Sequence, residues 1–256
     1  MILNAIEAGE GDPPLIVLHG LFGSARNFGS VQKEIARQRR VIALDMRNHG
    51  ASPHDADMHY TSMAEDVLET LRHLNALPAV VLGHSMGGKA AMMLALLHPD
   101  AVASLIVADI APAPYPPTLR PVAEAMAALP LAPGMTRAQA DAALTEAVPE
   151  AGMRAFLLQN LQLGAAPRWR IGLTEIIAAF EQVEAWDPPP DTTYTGPTLV
   201  IAGADSHYIK PEHRPMFRAL FPAARFVTLK NAGHWLHADN PSGFVGIVEA
   251  FLLGAR

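Results

Sequence analysis

Residues 80–88 read Val80-Val81-Leu82-Gly83-His84-Ser85-Met86-Gly87-Gly88, an apolar run that ends in Gly-x-Ser-x-Gly. A strand that enters this spacing must become a helix within a residue or two, which forces the central serine into a strained backbone conformation with its hydroxyl held clear of the turn. Gly83 and Gly87 carry no Cβ, so strand, turn and helix can approach closely. The helix expected over residues 86–98 points its positive end at the same spot, and the Met86 amide at its start is placed to donate to an oxyanion. Ser85 is therefore the candidate nucleophile. Taken alone, the pattern also fits a glycine-rich turn in any α/β protein, so its weight comes from its surroundings.

Outward from this turn, short apolar runs at residues 15–18, 41–44, 79–82, 105–108, 198–202 and 225–229 alternate with helical patterns. Such alternation predicts buried strands of a parallel sheet with crossover helices. The clearest helix spans about residues 62–75, where Ser62 and Glu65 read as a capping box and Val67, Leu68, Leu71 and Leu74 form an apolar face. A last helix over about residues 242–253 follows Pro241. The expected architecture is a doubly wound α/β fold with a mostly parallel sheet of about eight strands. Residues 111–195 break the rhythm, being rich in Pro and Ala and then helical from about 137 to 183, with no convincing strand. The expected division is a core of residues 1–110 and 196–256 with a helical cap, 111–195, inserted between them. Most apolar residues of the insertion, such as Met126, Leu129 and Trp169, are read as packing; a minority should line a pocket near Ser85.

Half of the 256 residues are apolar and 17% are charged, a balance that can bury a large core and excludes a disordered chain. The net charge of −6 and the scattered cations leave no basic stripe, which argues against a nucleic-acid partner. Cysteine is absent, excluding disulfides, thiolate metal sites and a cysteine nucleophile. The start of the chain lacks a basic and apolar leader, and no run reaches the length of a membrane span, so a soluble, cytoplasmic protein is expected, as a monomer or homodimer.

Four segments, His19-Gly-Leu-Phe-Gly-Ser24, Asp45-Met-Arg-Asn-His-Gly-Ala-Ser52, Gly83-His-Ser-Met-Gly-Gly-Lys89 and Asn231-Ala-Gly-His-Trp-Leu-His-Ala-Asp-Asn-Pro241, carry a resemblance to the α/β-hydrolase superfamily across nearly the whole chain. Within it, the combination is most similar to small bacterial esterases with a short helical cap, related to the mitochondrial abhydrolase type. The resemblance implies that the backbone amide of Leu21 joins that of Met86 in an oxyanion hole. It also implies that the base is His234, directly after Gly233, with His237 as the competitor. His19 and His84 are read as structural. The loop with Asp45 and Arg47 is read as architectural, tied together by a hydrogen bond between the two.

The superfamily's usual acid position, of the form Gly-x-x-Asp after a late strand, is occupied here by Ser206 in Gly203-Ala204-Asp205-Ser206. Asp205 is offset by one residue, which turns a side chain toward the opposite face. Asp109, at the end of the strand beside the one bearing Ser85, corresponds to a position that some superfamily members use. Asp109 is accordingly placed ahead of Asp205 as the acid. His54, Asp55, Asp57 and His59 are read as a solvated loop rather than a metal site, and Lys89 as pairing with a carboxylate. No cofactor is expected.

The resulting expectation is a serine hydrolase that cleaves carboxylic esters or acyl thioesters of short to medium acyl chains through an acyl-enzyme, with a small-molecule substrate. The apolar cap, with Arg120, Arg137, Arg154, Arg168 and Arg170 as its chief cations, favours a substrate with at most one anionic recognition point. Carbon–carbon bond hydrolysis, cofactor-free perhydrolysis and a ligand-binding role on the same fold are the alternatives.

Overall fold

A computed structural model describes residues 1–254. In chain order its strands are β1 (Ala5–Ala8), β2 (Leu15–Leu18), β3 (Val41–Leu44), β4 (Ala79–His84), β5 (Val102–Ala108), β6 (Leu161–Gln162), β7 (Arg168–Trp169), β8 (Thr198–Gly203) and β9 (Ala224–Leu229). The α-helices are α1 (Gly29–Ile35), α2 (Tyr60–His73), α3 (Met86–Leu97), α4 (Arg120–Ala128), α5 (Arg137–Leu144), α6 (Ala151–Leu157), α7 (Leu173–Ala178), α8 (Phe180–Glu184), α9 (Arg214–Leu220), α10 (Leu236–Asp239) and α11 (Pro241–Gly254). Seven strands form the main sheet in the order β1-β3-β2-β4-β5-β8-β9. All neighbours are parallel except β1, which runs antiparallel to β3. The count is seven, against the about eight expected.

Central strands buried on both faces explain why their sequences are continuous apolar runs. Leu15, Val17, Val80 and Leu82 pack on one side with Phe28, Val31 and Ile35 from α1 and its approach and with Phe244 and Val248 of α11. Ile16, Leu18 and Val81 pack on the other side with Met63, Val67 and Leu71 of α2 and with Ala91 and Met92 of α3. The period-two alternation of side chains thus feeds two core layers from one strand. No helix among the described residues is long and apolar enough to cross a membrane.

Helix α2 begins at Tyr60, two residues earlier than the sequence suggested, and the Ser62–Glu65 capping box does not form. Asp57 organises the helix start instead: the His59 amide donates to its Oδ1 at 2.9 Å and Ser62 Oγ donates to its Oδ2. Glu65 is turned outward to His98 Nε2 at 2.6 Å. An aspartate ahead of the helix offered both groups a stronger acceptor than a serine could.

Between β5 and β8 lie helices α4 to α8 and the small hairpin β6–β7. That hairpin corrects the expectation of no strand in this segment: two residues per strand are too few to produce a readable alternation. The segment has its own small cluster, in which Leu129, Ala140, Leu144, Leu158 and Leu161 are buried together, and Arg154 Nε donates to Asp141 Oδ1 at 2.9 Å within it.

Candidate active site

Strand β4 delivers Ser85 with φ 54° and ψ −122°, the left-handed region that costs a side-chain-bearing residue on the order of 1–3 kcal/mol. The cost is borne because the neighbourhood leaves no alternative. A Cβ on Gly83 would lie 2.1 Å from the Gly87 carbonyl oxygen, and one on Gly87 would lie 2.4 Å from that of Leu18. The Ser85 amide donates to Ala108 O at 3.1 Å, tying the turn to β5. Its carbonyl accepts from Gly88 and Lys89, starting α3. The Met86 amide is among the first-turn N–H groups of α3 that have no acceptor within the helix.

Ser85 Oγ lies 3.1 Å from His234 Nε2, and His234 Nδ1 lies 2.8 Å from Asp109 Oδ2. A carboxylate at Nδ1 can only accept, so Nδ1 carries the proton and Nε2 is left to accept from the serine hydroxyl. Asp109, at the end of β5, is fully buried, and has φ 51°. Its Oδ1 accepts from the Gly203 amide at 3.1 Å and its Oδ2 accepts from Ser206 Oγ as well as from His234. Ser206, which sits where the superfamily pattern has an acid, thus holds the Asp109 carboxylate. Asp205 is exposed; its amide donates to Ala232 O, and its carboxylate makes no bond to His234.

His234 is held from two further sides. Tyr208 stacks on its ring at 3.8 Å between centroids, and His84 Nε2 donates to its carbonyl at 2.7 Å. Burial holds His84 well below the ordinary histidine range, so it is neutral and serves as a fixed donor. His237, the competitor, is stacked on Phe28 at 4.0 Å and pushed down to about 4 by burial; it is not bonded to Ser85.

The turn bearing Leu21 runs against Ser85: a Cβ on Gly20 would be 3.0 Å from that of Ser85. Two buried, neutral histidines shape this turn. His19 Nδ1 donates to Gly20 O at 2.8 Å while its Nε2 accepts from the Met46 amide. His49 Nδ1 donates to Arg47 O while its Nε2 accepts from the amide of Phe22, which has φ 62°. Burial lowers both, His49 to about 3. The sequence reading missed His49; the only signal was its place in the Asp45–Ser52 motif. Within that motif Asp45 and Arg47 do not bond each other, contrary to expectation. Asp45 accepts from the amides of Ala25 and Ala51, and Arg47 Nε donates to Asp66 Oδ2 at 2.6 Å.

Lys89 also departs from its expected partner. Its Nζ donates to the carbonyls of Glu184 at 3.1 Å and Ala185 at 2.9 Å, the C-terminal end of α8, beneath the rings of Tyr60 and Tyr115. The carbonyls at a helix end lack intrahelical donors, so the Lys89 amine, with at least two N–H groups, makes a fitting cap. Burial pushes Lys89 down to about 7 from an ordinary 10.5. Between those values the unfolded chain holds a proton that the folded chain has released, so the residue's contribution to stability rises with pH. From pH 7 to pH 9, wild type is expected to gain about 2 kcal/mol over Lys89→Met in urea unfolding. A flat difference would mean that Lys89 stays charged throughout.

Ser85 sits where two cavities meet, of about 420 and 360 Å³. Of the arginines at 120, 137, 154, 168 and 170, none lines either one. The cations that do are Lys89 and Lys210, both in the larger cavity. Among the described residues no group of His, Asp and Glu is arranged to hold a metal, the 54–59 loop included.

A family model described as the alpha/beta hydrolase fold matches residues 13–241. The chain is 40% identical to the sn-1-specific diacylglycerol lipase ABHD11 of Mus musculus, over 97% of this chain and 84% of that protein. It is 34% identical to Esterase YbfF of Escherichia coli, over 93% of this chain and 92% of that one. Among solved structures, one described as a marine microorganism esterase superposes with a TM-score of 0.94 at 36% identity, covering 98% of this chain and 99% of the other.

Proposed function

Because the chain belongs to the alpha/beta hydrolase family, as its match over residues 13–241 and its 40% identical relative establish, we propose that Ser85, His234 and Asp109 are the catalytic triad of its ester-cleaving chemistry. The protein is a hydrolase that acts on esters, in keeping with relatives named esterase and lipase and a closely superposing esterase. The observation that carries the residue assignment is the unbroken relay from Ser85 Oγ through His234 to the buried Asp109 carboxylate.

In this reading His234 Nε2 takes the Ser85 proton as Oγ attacks the ester carbonyl, and the Leu21 and Met86 amides receive the charge that develops on the carbonyl oxygen. The carbon–oxygen bond to the alcohol then breaks, and His234 returns the proton to the departing oxygen. Water enters by the same route, forms a bond to the acyl carbon and restores free Ser85 with release of the acid. Asp109 keeps the imidazole in the tautomer that can accept from serine and balances the imidazolium. Acyl thioesters fit the same sequence, with a thiol as leaving group. Short to medium acyl chains suit the larger cavity, which falls within the usual range for a small-molecule site.

The test is covalent capture. Incubation with an alkyl fluorophosphonate should add one alkylphosphonyl group per chain, found by peptide mass mapping on the segment containing Ser85, and abolish nitrophenyl ester turnover in proportion. Full turnover after stoichiometric labelling elsewhere would sink the assignment.

A further inference from the structure

The two cavities share Leu21, Ser85, Leu119 and Tyr208 and otherwise have separate walls. The smaller one is walled by the loop of the base itself, Gly233, His234, Trp235 and His237, together with Phe28 and Phe156. The larger one takes nothing from that loop. It is built from Met86 and Lys89 of the nucleophile's helix, Ile110 beyond β5, and Phe180 and Val183 of α8.

This division has a chemical consequence that rests on the triad reading above. The leaving oxygen must come within hydrogen-bond reach of His234 Nε2 to receive its proton, so the alcohol lies on the histidine side of Ser85. The acyl carbon stays bonded to Ser85 Oγ with its chain directed away from the imidazole, since water must later approach from the histidine side. We infer that the 360 Å³ cavity walled by His234 and Trp235 holds the alcohol of the substrate and the 420 Å³ cavity under α8 holds its acyl chain. The substrate class is therefore an ester that is bulky on both sides.

The walls specify each half. In the alcohol cavity, Phe156 and Trp235 present aromatic surface, at 5.3 Å between ring centroids, over the buried Phe22 and Phe28, which suits an apolar, ring-bearing alcohol. The acyl cavity runs from the exposed residues Thr118, His207 and Lys210 to the buried Tyr60 and Lys89, with Leu119, Phe180 and Val183 along it. Its buried end is fixed by the cap's own anchoring: Tyr60 Oη donates to Val183 O at 2.6 Å, and Lys89 donates to the next two carbonyls. A closed end limits chain length, giving a medium-length, apolar acyl group.

Steric plugs separate the two sides. Val183→Phe and Thr118→Trp narrow the acyl cavity deep within it and at its mouth; Met153→Trp narrows the alcohol cavity. Thr118 is exposed and Met153 half-buried, so these two variants keep the test available if Val183→Phe does not fold. Each is assayed against methyl esters from acetate to decanoate and against acetates from methyl to 2-naphthyl. The acyl plugs are expected to cut kcat/KM for the long-chain methyl esters by about tenfold or more while leaving 2-naphthyl acetate within about twofold, with the reverse for Met153→Trp. Hydrolysis of a shared acyl-enzyme should be unchanged in Met153→Trp, because the alcohol has already left. The crossed pattern, or equal losses in both series, overturns the side assignment while leaving the triad standing. Full turnover after stoichiometric fluorophosphonate labelling away from Ser85 would instead remove the triad reading itself.

Discussion

In Ser85→Ala, turnover of nitrophenyl esters is expected to fall by roughly five to six orders of magnitude, with loss of the pre-steady-state burst. No other oxygen can replace Oγ, since His234 Nε2 faces this hydroxyl at 3.1 Å. The fold should be untouched, because the elbow is held by Gly83, Gly87 and the Ser85 amide bond to Ala108 O rather than by the hydroxyl. Thermal unfolding within a few degrees of wild type, alongside lost turnover, is the expected pair of results. Turnover retained within about tenfold would end the serine mechanism.

Asp109→Asn is the second large effect, an expected loss of about four orders of magnitude in turnover. An amide in place of the carboxylate can donate through its nitrogen to His234 Nδ1, which favours the tautomer with the proton on Nε2, the one that cannot accept from Ser85. It also removes the charge that balances the imidazolium in the transition state. The isosteric change keeps an oxygen for the Gly203 amide, which now donates to Asp109 Oδ1 at 3.1 Å. Asp205→Asn is expected to leave turnover within about twofold, since that side chain is exposed and unbonded to the base. Steady-state kinetics on both variants distinguishes them, and a collapse in Asp205→Asn alone would reassign the acid.

The elbow was legible because it is local: strand, turn and helix start within nine residues, and glycines at 83 and 87 are the only side chains the close approach allows. The parallel sheet was legible because strands buried on both faces must be apolar throughout. Partners far along the chain were not. The cap on α2 went to Asp57, Arg47 turned to Asp66, and Lys89 met two carbonyls at the end of α8, 95 and 96 residues on.

What the sequence determined by itself was the α/β-hydrolase architecture, the position of Ser85 and the short list of residues from which a base and an acid could come. Only the tertiary structure shows that Asp109 and not Asp205 contacts His234, because that contact depends on how two neighbouring strands end. With Ala108 opposite Ile201 in the parallel pairing of β5 and β8, the next residue of β5 reaches the Gly203 amide and the Ser206 hydroxyl, and its carboxylate meets His234. The division of space around Ser85 was likewise set by the third dimension, since Tyr208, Leu119 and Leu21 come from three distant segments and meet only there. Side-chain type is written locally, but hydrogen-bond geometry and cavity shape are sums over contacts that chain order does not reveal.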